Sequence, residues 1–106
     1  MYVATYQNVT LENNLILDNT VTEDAYGSAV GGGIVIENDS GGNYTIRNNV
    51  IAGNTAQGAT WARGGGLYIG WSTANDVIHV VENTIYGNQA SKGGGVYFSY
   101  AKTVNV

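Results

Sequence analysis

Two motifs that alternate three times along 106 residues predict an all-β solenoid: a right-handed parallel β-helix of about three coils, with three short strands per coil. The first is Val9-x-Leu11-x-Asn13-Asn14-x-Ile16-x-x-Asn19. It recurs as Tyr44-x-Ile46-x-Asn48-Asn49-x-Ile51-x-x-Asn54 and as Ile78-x-Val80-x-Glu82-Asn83-x-Ile85-x-x-Asn88, at intervals of 35 and then 34 residues. The second is Gly31-Gly32-Gly33-Ile34-Val35-Ile36, repeated as Gly64-Gly65-Gly66-Leu67-Tyr68-Ile69 and as Gly93-Gly94-Gly95-Val96-Tyr97-Phe98. Composition is the third sign. The chain has 16 glycines, no proline and 11% charged residues, where an ordinary soluble domain has about 25% charge. Such a chain bends often around a narrow core, and 43% hydrophobic residues suffice to line it as one domain over residues 1–106.

Each repeat offers strands at residues 9–13, 15–18 and 33–36 in the first case. Apolar residues alternate with period two inside them, and no segment shows the i, i+3, i+4 spacing of a helix. A unit of this size cannot bury its apolar face alone, so neighbouring units stack about 4.8 Å apart as parallel strands. The inward columns are then Leu11/Ile46/Val80, Ile16/Ile51/Ile85, Ile34/Leu67/Val96 and Ile36/Ile69/Phe98. Burial of each such side chain is worth roughly 1.5–3 kcal/mol, so the columns dominate the fold. The paired asparagines serve the bends, because Asn tolerates a left-handed backbone and its amide can bond the same amide one coil away. Asn14/Asn49/Asn83 form one such ladder, with Asn19/Asn54/Asn88 repeating in step beside it. The glycine triplets allow sharp bends and close approach of backbones. They lack the lysine and hydroxyl spacing of a phosphate loop. Val104-Asn105-Val106 reads as the start of a fourth unit, and the first eight residues as a cover for the opposite end.

Gly31-Gly32-Gly33-Ile34 and its two relatives, paired with Ile16-x-x-Asn19, Ile51-x-x-Asn54 and Ile85-x-x-Asn88, resemble the GGA(I/L/V) and FxxN repeats of polymorphic outer-membrane proteins and autotransporter-type passengers. Here glycine stands for the alanine and isoleucine for the phenylalanine. The resemblance covers nearly the whole chain and implies a β-helix of a surface or secreted protein. Met1-Tyr2-Val3-Ala4-Thr5 has neither the basic start nor the apolar run of a leader.

Candidate functional residues lie outside the repeat. The segments between Asn19 and Gly31, Asn54 and Gly64, and Asn88 and Gly93 leave one corner of successive coils and shorten along the chain. They read as a tapering loop ledge carrying Glu23, Asp24, Tyr26, Trp61 and Arg63. Beside it Val35/Tyr68/Tyr97 form an outward column, with Trp71 and Tyr100 just beyond, an exposed aromatic strip suited to a sugar ring or a protein chain. The binding candidates are thus Tyr26, Trp61, Arg63, Tyr68, Trp71, Tyr97 and Tyr100. No residue is assigned a catalytic role: the acids scatter, Glu12 and Arg47 face outward as an ion pair, and His79 reads as a surface histidine.

The absence of cysteine removes disulfides and thiol chemistry. Glu37-Asn38-Asp39-Ser40 carries oxygens, but neither calcium-loop pattern is present, so no metal or cofactor is assigned. Four Lys and Arg residues in a chain of net charge -4 argue against nucleic acid, and no apolar run approaches the ~20 residues of a membrane span. The expected function is non-catalytic: a rigid lateral face for a glycan or protein, with self-association through the C-terminal coil, whose strand edge lacks a cap. A polysaccharide lyase or hydrolase relative, or a plain spacer, are the alternatives. A piece of a longer solenoid fits the same pattern.

Overall fold

The structure, a computed structural model, describes residues 1–3, 8–37, 42–58, 60–70, 77–99 and 104–105. It is all-β. After β1 (Tyr2–Val3), the first repeat contains β2 (Val9–Glu12), β3 (Leu15–Leu17), β4 (Thr20–Thr22), β5 (Ser28–Val30) and β6 (Ile34–Glu37). The second contains β7 (Asn43–Arg47), β8 (Val50–Ala52), β9 (Thr55–Gln57), β10 (Trp61–Arg63) and β11 (Leu67–Gly70). The third contains β12 (Val77–Val81), β13 (Thr84–Tyr86) and β14 (Val96–Ser99), followed by β15 (Val104–Asn105).

Equivalent strands of successive repeats pair in parallel. The sheets run β1-β6-β11-β14, β15-β12-β7-β2, β13-β8-β3, β4-β9 and β10-β5, with no helix and no closed barrel among the described residues. This arrangement is consistent with a β-solenoid. Leu11 faces Ile46 and then Val80, and Ile34 faces Leu67 and then Val96, so like residues stack on like.

Among the described residues the first two repeats have five strands each, not three. The segments expected to be a loop ledge instead form β4, β5, β9 and β10, which pair across repeats. The cause is a second, smaller core of Ala29, Ala56 and Ala62, flanked by Val21 and Ala90. Alanine fills little space, so the two arms of the segment can close on each other. In the third repeat the segment is shorter and keeps only single bridges, Gln89 to Thr55 and Lys92 to Arg63.

The main core holds Ile16, Ile34, Ile36, Ile46, Ile51, Leu67, Ile69 and Val80, with Leu11, Ile85 and Val96 partly buried at its ends. It also holds a column absent from the sequence-based expectation, Val9/Tyr44/Ile78, in which Tyr44 is fully buried. Phe98 departs from its column's inward character: it is 42% exposed, because no further strand covers β14 among the described residues.

The asparagines divide their work by position. The first of each pair takes the left-handed turn, with φ of 59° at Asn13 and 55° at Asn48, and Glu82 takes the same conformation in the third repeat. The second makes the ladder. The Asn49 side-chain oxygen accepts the backbone and side-chain N–H groups of Asn14, both at 3.0 Å. Its amide nitrogen donates to the Leu11 carbonyl and to the Asn83 side-chain oxygen. Asn54 repeats the pattern with Asn19, Ile16 and Asn88. Both amides are buried with every donor and acceptor used, as a buried polar group requires.

At the glycine corners the peptides all point one way. The N–H groups of Gly31, Gly32, Gly33 and Ile34 donate to the carbonyls of Arg63, Gly64, Gly65 and Gly66, and those of Gly64, Gly65, Gly66 and Leu67 donate onward to Lys92, Gly93, Gly94 and Gly95. The Met1 ammonium closes the carbonyl end of this column at Gly33, 2.7 Å away. The third glycine of the first and second triplets is constrained by the repeat that follows it. A Cβ on Gly66 would lie 2.6 Å from the Gly95 carbonyl oxygen and 2.9 Å from the Asn88 amide nitrogen, whereas one on Gly95 would meet only Ile85, at 3.5 Å. Gly66→Ala is therefore expected to destabilise the protein by about 1–3 kcal/mol, and Gly95→Ala to stay within about 0.5 kcal/mol of wild type in urea unfolding. Equal effects at the two positions would contradict this account of the corner.

Candidate binding groove

The strands on either side of the second glycine corner position the candidate site. On β10 the alternation turns Ala62 into the small core and puts Trp61 and Arg63 outside. Gly64, with φ of +64°, then bends the chain into β11, where Leu67 and Ile69 point inward and Tyr68 outward. One repeat on, Tyr97 lies directly beside Tyr68. The two phenol rings stack with centroids 6.0 Å apart and planes 2° from parallel.

Arg63 links the aromatic groups. Its guanidinium carbon is 4.3 Å from the Trp61 ring centroid and 5.1 Å from that of Tyr97, within cation–π range of both. Together with Val30, Tyr68, Phe98 and Ser99 these residues line an open groove of about 610 Å³. A smaller recess of about 90 Å³ adjoins it along Thr60, Trp61, Arg63, Ser91 and Lys92.

The exposed aromatic strip expected at Val35/Tyr68/Tyr97 is not present in that form. Val35 and Tyr68 are buried and Tyr97 is half-buried. Tyr68 lies down over Gly70, leaving so little space that a Cβ there would sit 2.6 Å from the phenol oxygen, and Tyr97 covers its other side. This burial pushes the Tyr68 phenol above its ordinary pKa, against a hydrogen bond from Ser99 that favours ionisation. The exposed aromatic residues of the groove are Trp61, at 53%, and Phe98 at its edge.

The other candidates lie apart. Tyr26 is 85% exposed in a turn closed by the Asp24 carboxylate, which accepts the N–H groups of Tyr26 and Ser28, and it does not line the groove. Glu23 borders a separate cleft with Thr22, Gln57 and Gly58. Trp71, Tyr100 and the Asn38-Asp39-Ser40 oxygens lie outside the described residues. Arg47 and Glu12 pair at 2.8 Å, and that contact raises the arginine pKa further. His79 is half-buried on β12 and takes part in an interaction within the fold. Among the described residues no three His, Cys, Asp or Glu side chains converge as a metal site would need, and no helix is long and apolar enough to cross a membrane.

Two features escaped the sequence reading. Lys92 stands beside Arg63, and the signal was its place immediately before the third glycine triplet, as Arg63 precedes the second. The β3-β8-β13 sheet carries exposed Leu15, Leu17 and Tyr86 on its outer face, which follows from their position on either side of the inward Ile16 and Ile85. No family model, no curated protein and no solved structure matches the chain.

Proposed function

We propose that the chain is a right-handed parallel β-helix of about three coils whose lateral groove binds a saccharide without cleaving it. The handedness rests on the general preference of crossovers between parallel strands of one sheet, right-handed in about 98% of cases. The observation that carries the binding role is Trp61, still 53% exposed although Arg63 packs against its ring. A rigid indole face beside hydrogen-bonding groups suits a pyranose ring, and a groove built on paired strands loses little entropy when filled. No carboxylate lines the groove among the described residues, whereas glycoside cleavage ordinarily uses two.

The test is a polysaccharide panel read by affinity electrophoresis and by assay for new reducing ends and unsaturated products. Retention without cleavage is expected, with Trp61→Ala weakening it about tenfold or more, the scale of a lost stacking contact of 1.4 kcal/mol. Retention unaffected by Trp61→Ala, no retention at all, or cleavage by the purified protein would each contradict the proposal.

A second reading, self-association by head-to-tail stacking, is favoured by the glycine corners. The N–H groups of Gly93, Gly94 and Gly95 have no acceptor, and the carbonyls of Val30, Gly31 and Gly32 no donor, among the described residues. Each end therefore offers the hydrogen-bonding partner of the other, as a heterologous contact requires. Light scattering during gel filtration is expected to show a mass that rises with concentration. A constant monomer mass up to roughly millimolar protein would rule stacking out.

A further inference from the structure

The groove's surroundings are charged in a way that narrows its ligand. The chain as a whole carries a net charge of -4. Its four Lys and Arg residues are Arg47, Arg63, Lys92 and Lys102. Arg47 is tied to Glu12 within the sheet β15-β12-β7-β2, away from the groove. Arg63 and Lys92 are instead bridge partners in adjacent repeats, each immediately before a glycine triplet, and they share one recess with Thr60, Trp61 and Ser91. The carboxylate that acts on Tyr68 is Glu37, which lies at the far side of β11 from β14 and accepts a hydrogen bond from the Tyr2 hydroxyl at 3.0 Å.

We infer that the groove selects anionic saccharides, with Arg63 and Lys92 holding a carboxylate or sulfate while the adjoining sugar ring lies against Trp61. This inference rests on the saccharide-binding reading above and adds the ligand's charge to it. Arg63 is suited to the task because its guanidinium is already positioned by two rings and presents a planar set of donors to a carboxylate or sulfate. Lys92 is exposed and contributes a mobile point charge beside it. Thr60 and Ser91 supply hydroxyls in the same recess for neutral parts of the ligand. The screening length of about 8 Å at physiological salt confines the field of this cationic pair to the recess and its immediate surroundings.

The experiment compares matched polymers: polygalacturonate against its methyl-esterified form, and a sulfated galactan against its desulfated form. The full chain is used throughout, at about 50 mM and about 500 mM salt. Wild type is expected to hold at least one anionic form about tenfold more tightly than its neutral counterpart at low salt, and to lose most of that preference at high salt. Which pair shows the preference distinguishes carboxylate from sulfate. Arg63→Gln with Lys92→Gln is expected to abolish the preference for the anionic form, and Trp61→Ala to weaken both forms. Lys92→Glu, at an exposed position that leaves the Arg63 stacking in place, keeps the test independent of folding and is expected to reduce anionic binding at least as far. Equal retention of charged and neutral forms by wild type, or a preference that survives the charge variants, would overturn the charge inference alone. Retention of none of the four polymers would overturn it together with the reading on which it rests.

Discussion

Replacing Asn49 by alanine is expected to cost about 2–5 kcal/mol of stability, against no more than about 1 kcal/mol for Asn14→Ala. The asymmetry follows from position in the ladder. Asn49 is buried and binds both neighbours, accepting twice from Asn14 and donating to Leu11 and Asn83. Its loss leaves the Asn14 backbone N–H without its acceptor, at a penalty of roughly 1–3 kcal/mol, and takes one donor each from the Leu11 carbonyl and the Asn83 side-chain oxygen. Asn14 is half-buried at the first repeat, and its side chain donates to Asn49 while its own oxygen has no donor among the described residues. Its removal orphans one lone pair on Asn49, which the Asn14 backbone N–H continues to occupy in part. Asn49→Asp adds a test of hydrogen-bond direction: the carboxylate can still accept from Asn14 but cannot donate to Leu11 or Asn83, so it is expected to be at least as damaging as alanine near neutral pH. Urea unfolding of the three variants decides the matter. Losses of no more than about 1 kcal/mol for both Asn49→Ala and Asn14→Ala would mean that the apolar columns alone hold the repeats in register, and equally large losses would contradict the asymmetry.

The inward columns were legible in the sequence because they obey a rule with one term: apolar residues at period two beside the same marker, returning after 35 and 34 residues in the asparagine motif and after 33 and 29 in the glycine motif, must face one another. Leu11/Ile46/Val80 and Ile34/Leu67/Val96 pair in that register. What was not legible depended on small residues or on competition between neighbours. Ala29, Ala56 and Ala62 carry almost no hydrophobic signal, yet their small size lets four extra strands close where loops were expected. Tyr68 occupies an outward position by alternation, but Gly70 leaves a hollow for its ring and Tyr97 covers it, so an outward residue became a buried one. Tyr44 starts the second asparagine motif where the first and third have Val9 and Ile78. Period two places it inward, yet a tyrosine between Val9 and Ile78 breaks the run of like residues that marks the other columns, and it is fully buried there. The candidate groove was half legible for the same reason. Trp61 and Arg63 stood out as residue types, whereas the link between them and Tyr97 depends on how the glycine corner folds β10 back beside β11.

Ile69→Ala is expected to cost about 2–5 kcal/mol and Phe98→Ala only about 1–2 kcal/mol, although phenylalanine is the larger side chain and both occupy one column. Size alone predicts the reverse order, since a fully buried Phe→Ala change costs about 3–5 kcal/mol. Ile69 is completely buried between Ile36 on one side and Phe98 on the other, so its truncation opens a cavity closed at both ends that neither neighbour can fill without leaving its own strand register. Phe98 lies at the last described layer with 42% of its surface already exposed, and the space it vacates is open to water rather than enclosed. In a stack where each repeat touches only the next, stability is close to a sum of interface terms, and a residue in the second repeat enters two of them while one in the third enters one. The comparison therefore measures the connectivity of the fold. If Phe98→Ala proved the costlier change, a further layer must cover β14 in solution, and the head-to-tail stacking of chains through Gly93, Gly94 and Gly95 would be the first place to look, with the cost then falling as the protein is diluted.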